Sequence, residues 1–443
     1  MRMRAGMLLL AVLFVTVTVQ AQTAPGVYAI TGAKVFPVSG PPIENGTVVI
    51  IDGRIAAVGA NVSVPAGAQV IDGKGLEVYP GMFDPVTQVG LSEISAVSAT
   101  VDVSELGAYN PEIVAATAVN PASAHINVTR ANGITHVLVA PGVGGFFGGG
   151  GGSVIGGQAS AMHLAGWTMD EMLVRKSAAM VLNWPTIDTG SFDFSTFQFK
   201  QRPFKEVKQE YDKKVNELGD VLERARHYAQ VEEKGSAEKF ERDLKLEALV
   251  PVVEGKLPLL VVAAKARDIR NAVEFCGKQN VKMILAGGDE AWKVKELLKE
   301  KKISVILGPT EALPREEDDA YDRPMTQPAE LVAAGIPIAF ASFDTAFSRR
   351  LPQQAGNAVA YGLPYDEALK AVTVNAAQML GLADQLGTIE PGKIANLIVT
   401  NGDPLEIRTE LRYLFIKGQL TSTDNRHKQL YEEYRNRPAP ATR

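Results

Sequence analysis

Metal or nucleophile chemistry needs thiolates, imidazoles or carboxylates spaced so that several of them meet, and this sequence is poor in the first two. It holds one cysteine, Cys276, and five histidines, His125, His136, His163, His227 and His427. A single thiol excludes an intramolecular disulfide framework and any multi-cysteine zinc or iron–sulfur site. Any metal would therefore rest on histidine and carboxylate. No two histidines stand at the H-x-H or H-x-x-x-H spacing that puts both rings on one strand or helix face. His136 lies inside an apolar strand, with His125 upstream and His163 beyond a glycine run, and all three read as core or surface residues. His227, in a charged helix, and His427, in the tail, read as solvated.

Two other stretches could carry function. Residues 141–157 are glycine-rich around Phe146-Phe147. Such a backbone can cradle phosphate, but no Lys-Ser/Thr follows and no clean G-x-G-x-x-G opens a helix, so a mobile or close-packed loop is the simpler reading. Residues 205–254 are amphipathic and heavily charged; alternating signs describe a solvated helix face, with partner binding as the alternative.

The elements that must position these residues follow from the apolar pattern. With 45 Lys+Arg against 50 Asp+Glu, 46 % hydrophobic and 21 % charged residues, the chain is globular and has no basic excess for nucleic acid. Arg2 and Arg4 precede an apolar run from Met7 to Val19, and Val19-Gln20-Ala21 offers a cleavage site before Gln22. Residues 1–21 are expected to be a signal peptide, too short to anchor at about 20 residues per span, which sends the mature chain to a periplasmic or secreted location. From Tyr28 to Val78, short β-rich runs alternate with turns such as Asp52-Gly53 and Asp72-Gly73, and the far end repeats this style. Between them, runs at 134–140, 259–264, 283–286, 303–307 and 336–341 are apolar on both faces and alternate with helical stretches such as 268–279 and 290–301. That rhythm predicts an α/β fold, a (β/α)8 TIM barrel with its chemistry at the C-terminal strand ends, ahead of a doubly wound sheet.

At this point the sequence resembles the amidohydrolase superfamily, in its imidazolonepropionase-like branch. The opening motifs are Asn45-Gly46, Asp52-Gly53-Arg54-Ile55 and Tyr79-Pro80-Gly81-Met82-Phe83-Asp84; the closing ones are Gly387-Thr388-Ile389-Glu390-Pro391-Gly392-Lys393 and Asn401-Gly402-Asp403-Pro404-Leu405. The resemblance implies a composite β-sandwich from residues 22–79 and 387–424, a barrel over 80–386 with the charged helical insertion 205–254, and a tail over 425–443. It also implies hydrolysis of non-peptide C–N bonds, amide or cyclic amide, by divalent metal that activates water. The family's ligands are replaced, however. The H-x-H pair falls on Val86 and Gln88, the strand-five histidine on Val262, and the strand-six histidine on Gly287, whose space is expected to be filled or reshaped by neighbours. The strand-four ligand has no placed match, and Asp344 alone stands as a relic of the strand-eight aspartate. Asp84 and Asp344, with Gln88, could bind one hard cation through oxygen; with Val262, Gly287 and Glu290, Asp84 and Gln88 are the pocket candidates. No metal or other cofactor is expected. The reading is thus a weakly active or noncatalytic hydrolase relative, or alternatively a ligand-binding or partner subunit. It would have an unknown small-molecule ligand and form a homo- or hetero-oligomer with a related amidohydrolase; a purely structural role is a third option.

Overall fold

The computed structural model describes residues 26–143, 152–193, 198–234 and 242–438. The expected signal peptide, the centre of the glycine run and the last residues of the tail lie outside them.

Eight strands form the central sheet: β1 (Met82–Thr87), β2 (Ile134–Val139), β3 (Ile155–His163), β4 (Leu173–Asn183), β5 (Leu259–Ala263), β6 (Met283–Gly287), β7 (Val305–Leu307) and β8 (Ile338–Phe340). Every residue of β1, β2, β7 and β8 is buried, which is why their sequences are mostly apolar rather than alternating, with Asp84, Thr87, Thr135 and His136 as buried polar exceptions. The sheet curls so that β8 reaches β1, where the Phe343 amide donates to the Val86 carbonyl at 2.9 Å. Phe83, Val86, Leu138, Val181, Leu260, Ile284, Ile306 and Ala339 fill the interior. A second apolar layer joins the strands to the helices outside. This is the barrel the pattern predicts, with one departure: β3 runs antiparallel to both β2 and β4, while the other neighbours pair in parallel.

Glycine composition hides β3. Gly156 and Gly157, at the end of the run expected to be a loop, lie at the start of a buried strand, and Gly157 at φ +128° takes a conformation that only glycine adopts freely.

Both chain ends enter one further sheet, in the order Gln419–Leu420, Leu411–Ile416, Leu397–Thr400, Glu77–Pro80, Tyr28–Val35, Ile43–Ile51 and Arg54–Gly59, with Gln69–Asp72 also pairing to Tyr28–Val35. Its strands share a single core that includes Ile30, Val35, Val48, Ile50, Leu397 and Phe415.

The charged stretch forms a helix over Phe204–Lys234 and a second over Leu244–Val253. The first is not solvated all round: Val207, Tyr211, Leu218, Leu222, Ala225 and Tyr228 are buried, at the three- and four-residue spacing of one helix face. It is the crossover between β4 and β5. Part of the tail, Arg426–Arg435, is also helical, because Asn425 accepts from the amides of His427 and Lys428 and caps it.

Candidate functional site

The parallel strands converge at their C-terminal ends, where barrel chemistry sits. Asp84, in β1, is fully buried there. Its Oδ1 accepts from the Ser342 amide at 3.1 Å and the Val86 amide at 3.4 Å. Its Oδ2 accepts from the hydroxyls of Ser342 at 2.6 Å and Ser348 at 2.7 Å. Burial pushes the carboxyl up to about 6, although the serine and backbone hydrogen bonds favour the charged form and hold it back. The carboxylate thus ties β1 to the segment after β8, and both oxygens are engaged.

Asp344 follows immediately. Its Oδ1 accepts from the Phe347 amide at 2.9 Å, closing the turn into the short helix Ser348–Arg350, and its own carbonyl accepts from Thr87 Oγ1 at 2.7 Å. Phe343 between the two polar residues has φ +53°, which turns Ser342 and Asp344 in the directions their bonds require.

Around the rest of the mouth the expected positions are apolar or already spent. Val86 is buried and Val262 half-buried, and both pack in the barrel interior with Ala140, Val143, Ala286 and Ala341. Gln88, buried, donates from Nε2 to the Val143 carbonyl at 2.7 Å. Asn183, at the end of β4, donates to the carbonyls of Gly142 and Ser153 at 2.8 and 2.9 Å. These two amides pin both flanks of the glycine run. Glu290 accepts from the Ala266 amide at 2.6 Å and from Lys293 Nζ at 2.9 Å. Burial works to raise its carboxyl, but those two bonds hold it below the usual range. Glu290 therefore caps the helix Ala266–Lys278.

Gly287 corrects an expectation. A Cβ placed there would meet the Ala263 carbonyl, its oxygen at 3.4 Å and its carbon at 4.0 Å, an ordinary van der Waals contact, so neighbours have not closed over the Cβ position. What resists a side chain is the backbone, at φ +90°.

None of the histidines reaches this mouth. His136 and His163 face each other across the β2–β3 pairing, near the N-terminal end of β2, against the terminal sheet. His125 bonds the Glu93 carbonyl at 3.0 Å, and His227 and His427 are exposed. Among the described residues, no group of three or more His, Cys, Asp or Glu side chains is placed to hold a metal ion.

A profile of the amidohydrolase family matches residues 255–423, covering β5 to β8 and the C-terminal strands. Over almost its whole length the chain is similar to a solved amidohydrolase from Thermotoga maritima, with 26 % identity, a TM-score of 0.76 and coverage of 89 % of this chain and 99 % of that one. The chain belongs to the amidohydrolase superfamily. Its imidazolonepropionase-like character shows in shorter stretches: 51 % identity over 51 residues to the imidazolonepropionase of Sphingopyxis alaskensis, and 34 % over 107 residues to that of Porphyromonas gingivalis. Those stretches cover 11 % and 24 % of this chain and span only 13 % and 24 % of the lengths of those two proteins.

The superfamily implies a divalent ion at the barrel mouth, and the residues here do not fit one. Val86, Val262 and Gly287 bring no donor atom, Gln88 brings only a neutral amide, and Asp84 offers oxygens that already accept four hydrogen bonds. The residues that define the mouth instead include Ser342, Ser348 and Asn183. Ser342 lies inside the Ala341-Ser-Phe-Asp344 motif; nothing in the local sequence marks the other two, because their partners lie 264 and 41 residues away in the chain.

Proposed function

We propose that this chain keeps the scaffold of a C–N bond hydrolase without metal-dependent turnover, and that it acts by binding a small amide-like ligand or a related amidohydrolase subunit. The observation that carries this reading is the Asp84 junction. The carboxylate beside the first-strand ligand positions is turned to Ser342 and Ser348, with Val86 packed next to it. Water activation requires several donors around an open coordination position, and hydrolysis without it is slow. Retention of the fold while the chemistry changes is common among barrel proteins. We place the mature protein outside the cytoplasm, on the strength of the leader-like residues 1–21, and expect no cofactor.

Turnover and binding separate the possibilities. The purified protein is offered N-acyl amino acids and cyclic amides, with zinc or manganese supplied, while heat released and thermal shift are followed. Binding without hydrolysis above background supports the reading. Hydrolysis that depends on added metal and disappears with chelator contradicts it.

A further inference from the structure

Where β2 and β3 meet the terminal sheet, two imidazoles share one amide. Asn396, buried, donates from Nδ2 to His163 Nδ1 at 3.1 Å and to His136 Nδ1 at 3.4 Å. Its Oδ1 accepts from the Lys417 amide at 2.9 Å, and that bond fixes which way the side-chain amide points. Thr135 Oγ1 lies 2.6 Å from His136 Nδ1. The Asn396 donor makes His163 Nδ1 an acceptor, so that ring carries its single proton on Nε2 and is neutral; His136 Nδ1 faces the same amide at 3.4 Å and the Thr135 hydroxyl, which can donate to it. Both rings are almost fully buried, 6.4 Å apart, and among the described residues His136 Nε2 has no partner.

From these contacts we infer that the joint between barrel and terminal sheet is a proton-excluding latch, which docks only while His136 and His163 are neutral and releases the C-terminal strands on acidification. A second proton on either ring would point an N–H at the N–H of Asn396. Rotating that amide to accept would set its NH2 against the Lys417 N–H.

The surrounding charges offer no rescue. Lys417, on the sheet side, is cationic and directs Nζ to the Glu171 carbonyl at 2.8 Å. The Arg130 guanidinium bonds the Leu164 and Ser422 carbonyls, and Arg175 bonds those of Leu380 and Gly381. The Glu171 carboxylate is turned to the Trp167 amide, and Asp84, beside the Phe83 ring that packs on His136, is turned to its serines. Among the described residues no carboxylate bonds either imidazole. Burial, with the Lys417 charge second, pushes His163 down to about 3, and burial with its neighbour His163 lowers His136 in the same direction.

Each ring that takes up a proton only on opening multiplies the opening equilibrium about tenfold per pH unit below roughly 6.5. Hydrogen exchange of the full chain, corrected for intrinsic rate, reads this directly. Between pH 6.5 and 4.5, opening of Leu397–Thr400 and Leu411–Ile416 should rise at least about 100-fold, while β5 and β6 change far less. An equal rise in all strands, or none, overturns the latch. Histidine nitrogen NMR gives an independent reading on the same chain. At pH 5 His136 and His163 should both remain neutral, His163 with its proton on Nε2; titration of either buried ring above pH 5 also overturns it. Asn396→Asp replaces the donor by an acceptor for a charged ring and should cut the pH effect at least tenfold. Should that variant fail to fold, the two wild-type measurements still decide.

Discussion

At Asp84 burial and hydrogen bonding oppose each other, and burial wins: the carboxyl lies near 6 against an ordinary 3.8. The fold therefore favours the protonated form. This contribution is fully present below pH 3.8 and is lost as pH rises through about 6, on the order of 3 kcal/mol in all. Asp84→Asn, neutral at every pH, should remove that component, so that the difference in urea stability between variant and wild type changes across pH 4–7; a constant difference would show that the carboxyl does not titrate in this window. Asp344 acts differently, as an acceptor for one backbone amide. Asp344→Asn keeps that acceptor and should leave stability and any ligand affinity within a few-fold, whereas Asp344→Ala should cost about 1 kcal/mol. A loss of 10²-fold or more in a measured rate for Asp344→Asn, at the low end of general acid–base contributions, would point instead to a rebuilt catalytic site. The roles of these two aspartates were only partly legible in the sequence. Their motifs are visible there, but Asp84 finds Ser342 and Ser348 at separations of 258 and 264 residues, which no local pattern encodes.

Strand ends decide whether a metal centre could be built at this mouth. Val86→His and Val262→His would add bulk to packed apolar positions, typically at about 1–3 kcal/mol. Gly287→His meets only van der Waals contact with the Ala263 carbonyl at its Cβ but a left-handed backbone, at about 1–2 kcal/mol. With Gln88→His included, the fourfold variant is expected to lose stability, bind zinc weakly and hydrolyse no cyclic amide above background. Zinc titration followed by calorimetry checks this, and micromolar or tighter binding with turnover would show a scaffold still poised for catalysis. Elements with strong periodicity were readable in advance: the helix Ala266–Lys278 buries Ile269, Ala272, Val273 and Cys276, and the sequence pattern anticipates a helix over 268–279. The stretch 290–301 resolves into a 3-10 turn and a short helix. Strand β3 was not readable, since its glycines and its antiparallel course both run against the barrel's rhythm.

For the whole molecule, the two chain ends hold one sheet together, and its stability belongs to residues far apart in sequence. Leu397–Thr400 from the C-terminal part pairs with Glu77–Pro80 from the N-terminal part. Phe415, fully buried in their common core, should cost about 3–5 kcal/mol when changed to Ala, visible as a lower melting temperature of the entire protein. Motifs at the two ends announced the family because they are contiguous; the residue types at Val86, Val262 and Gly287 are equally visible in the sequence, whereas the hydrogen bonds around Asp84 are assembled only by the closed barrel. On the proposed reading, this mouth holds no metal. Elemental analysis of protein purified without chelator, repeated after dialysis against zinc and manganese, tests it most directly. Far less than one zinc, iron or manganese per chain in both preparations is the predicted result, and near-stoichiometric metal that Asp84→Asn or Asp344→Asn removes would contradict it.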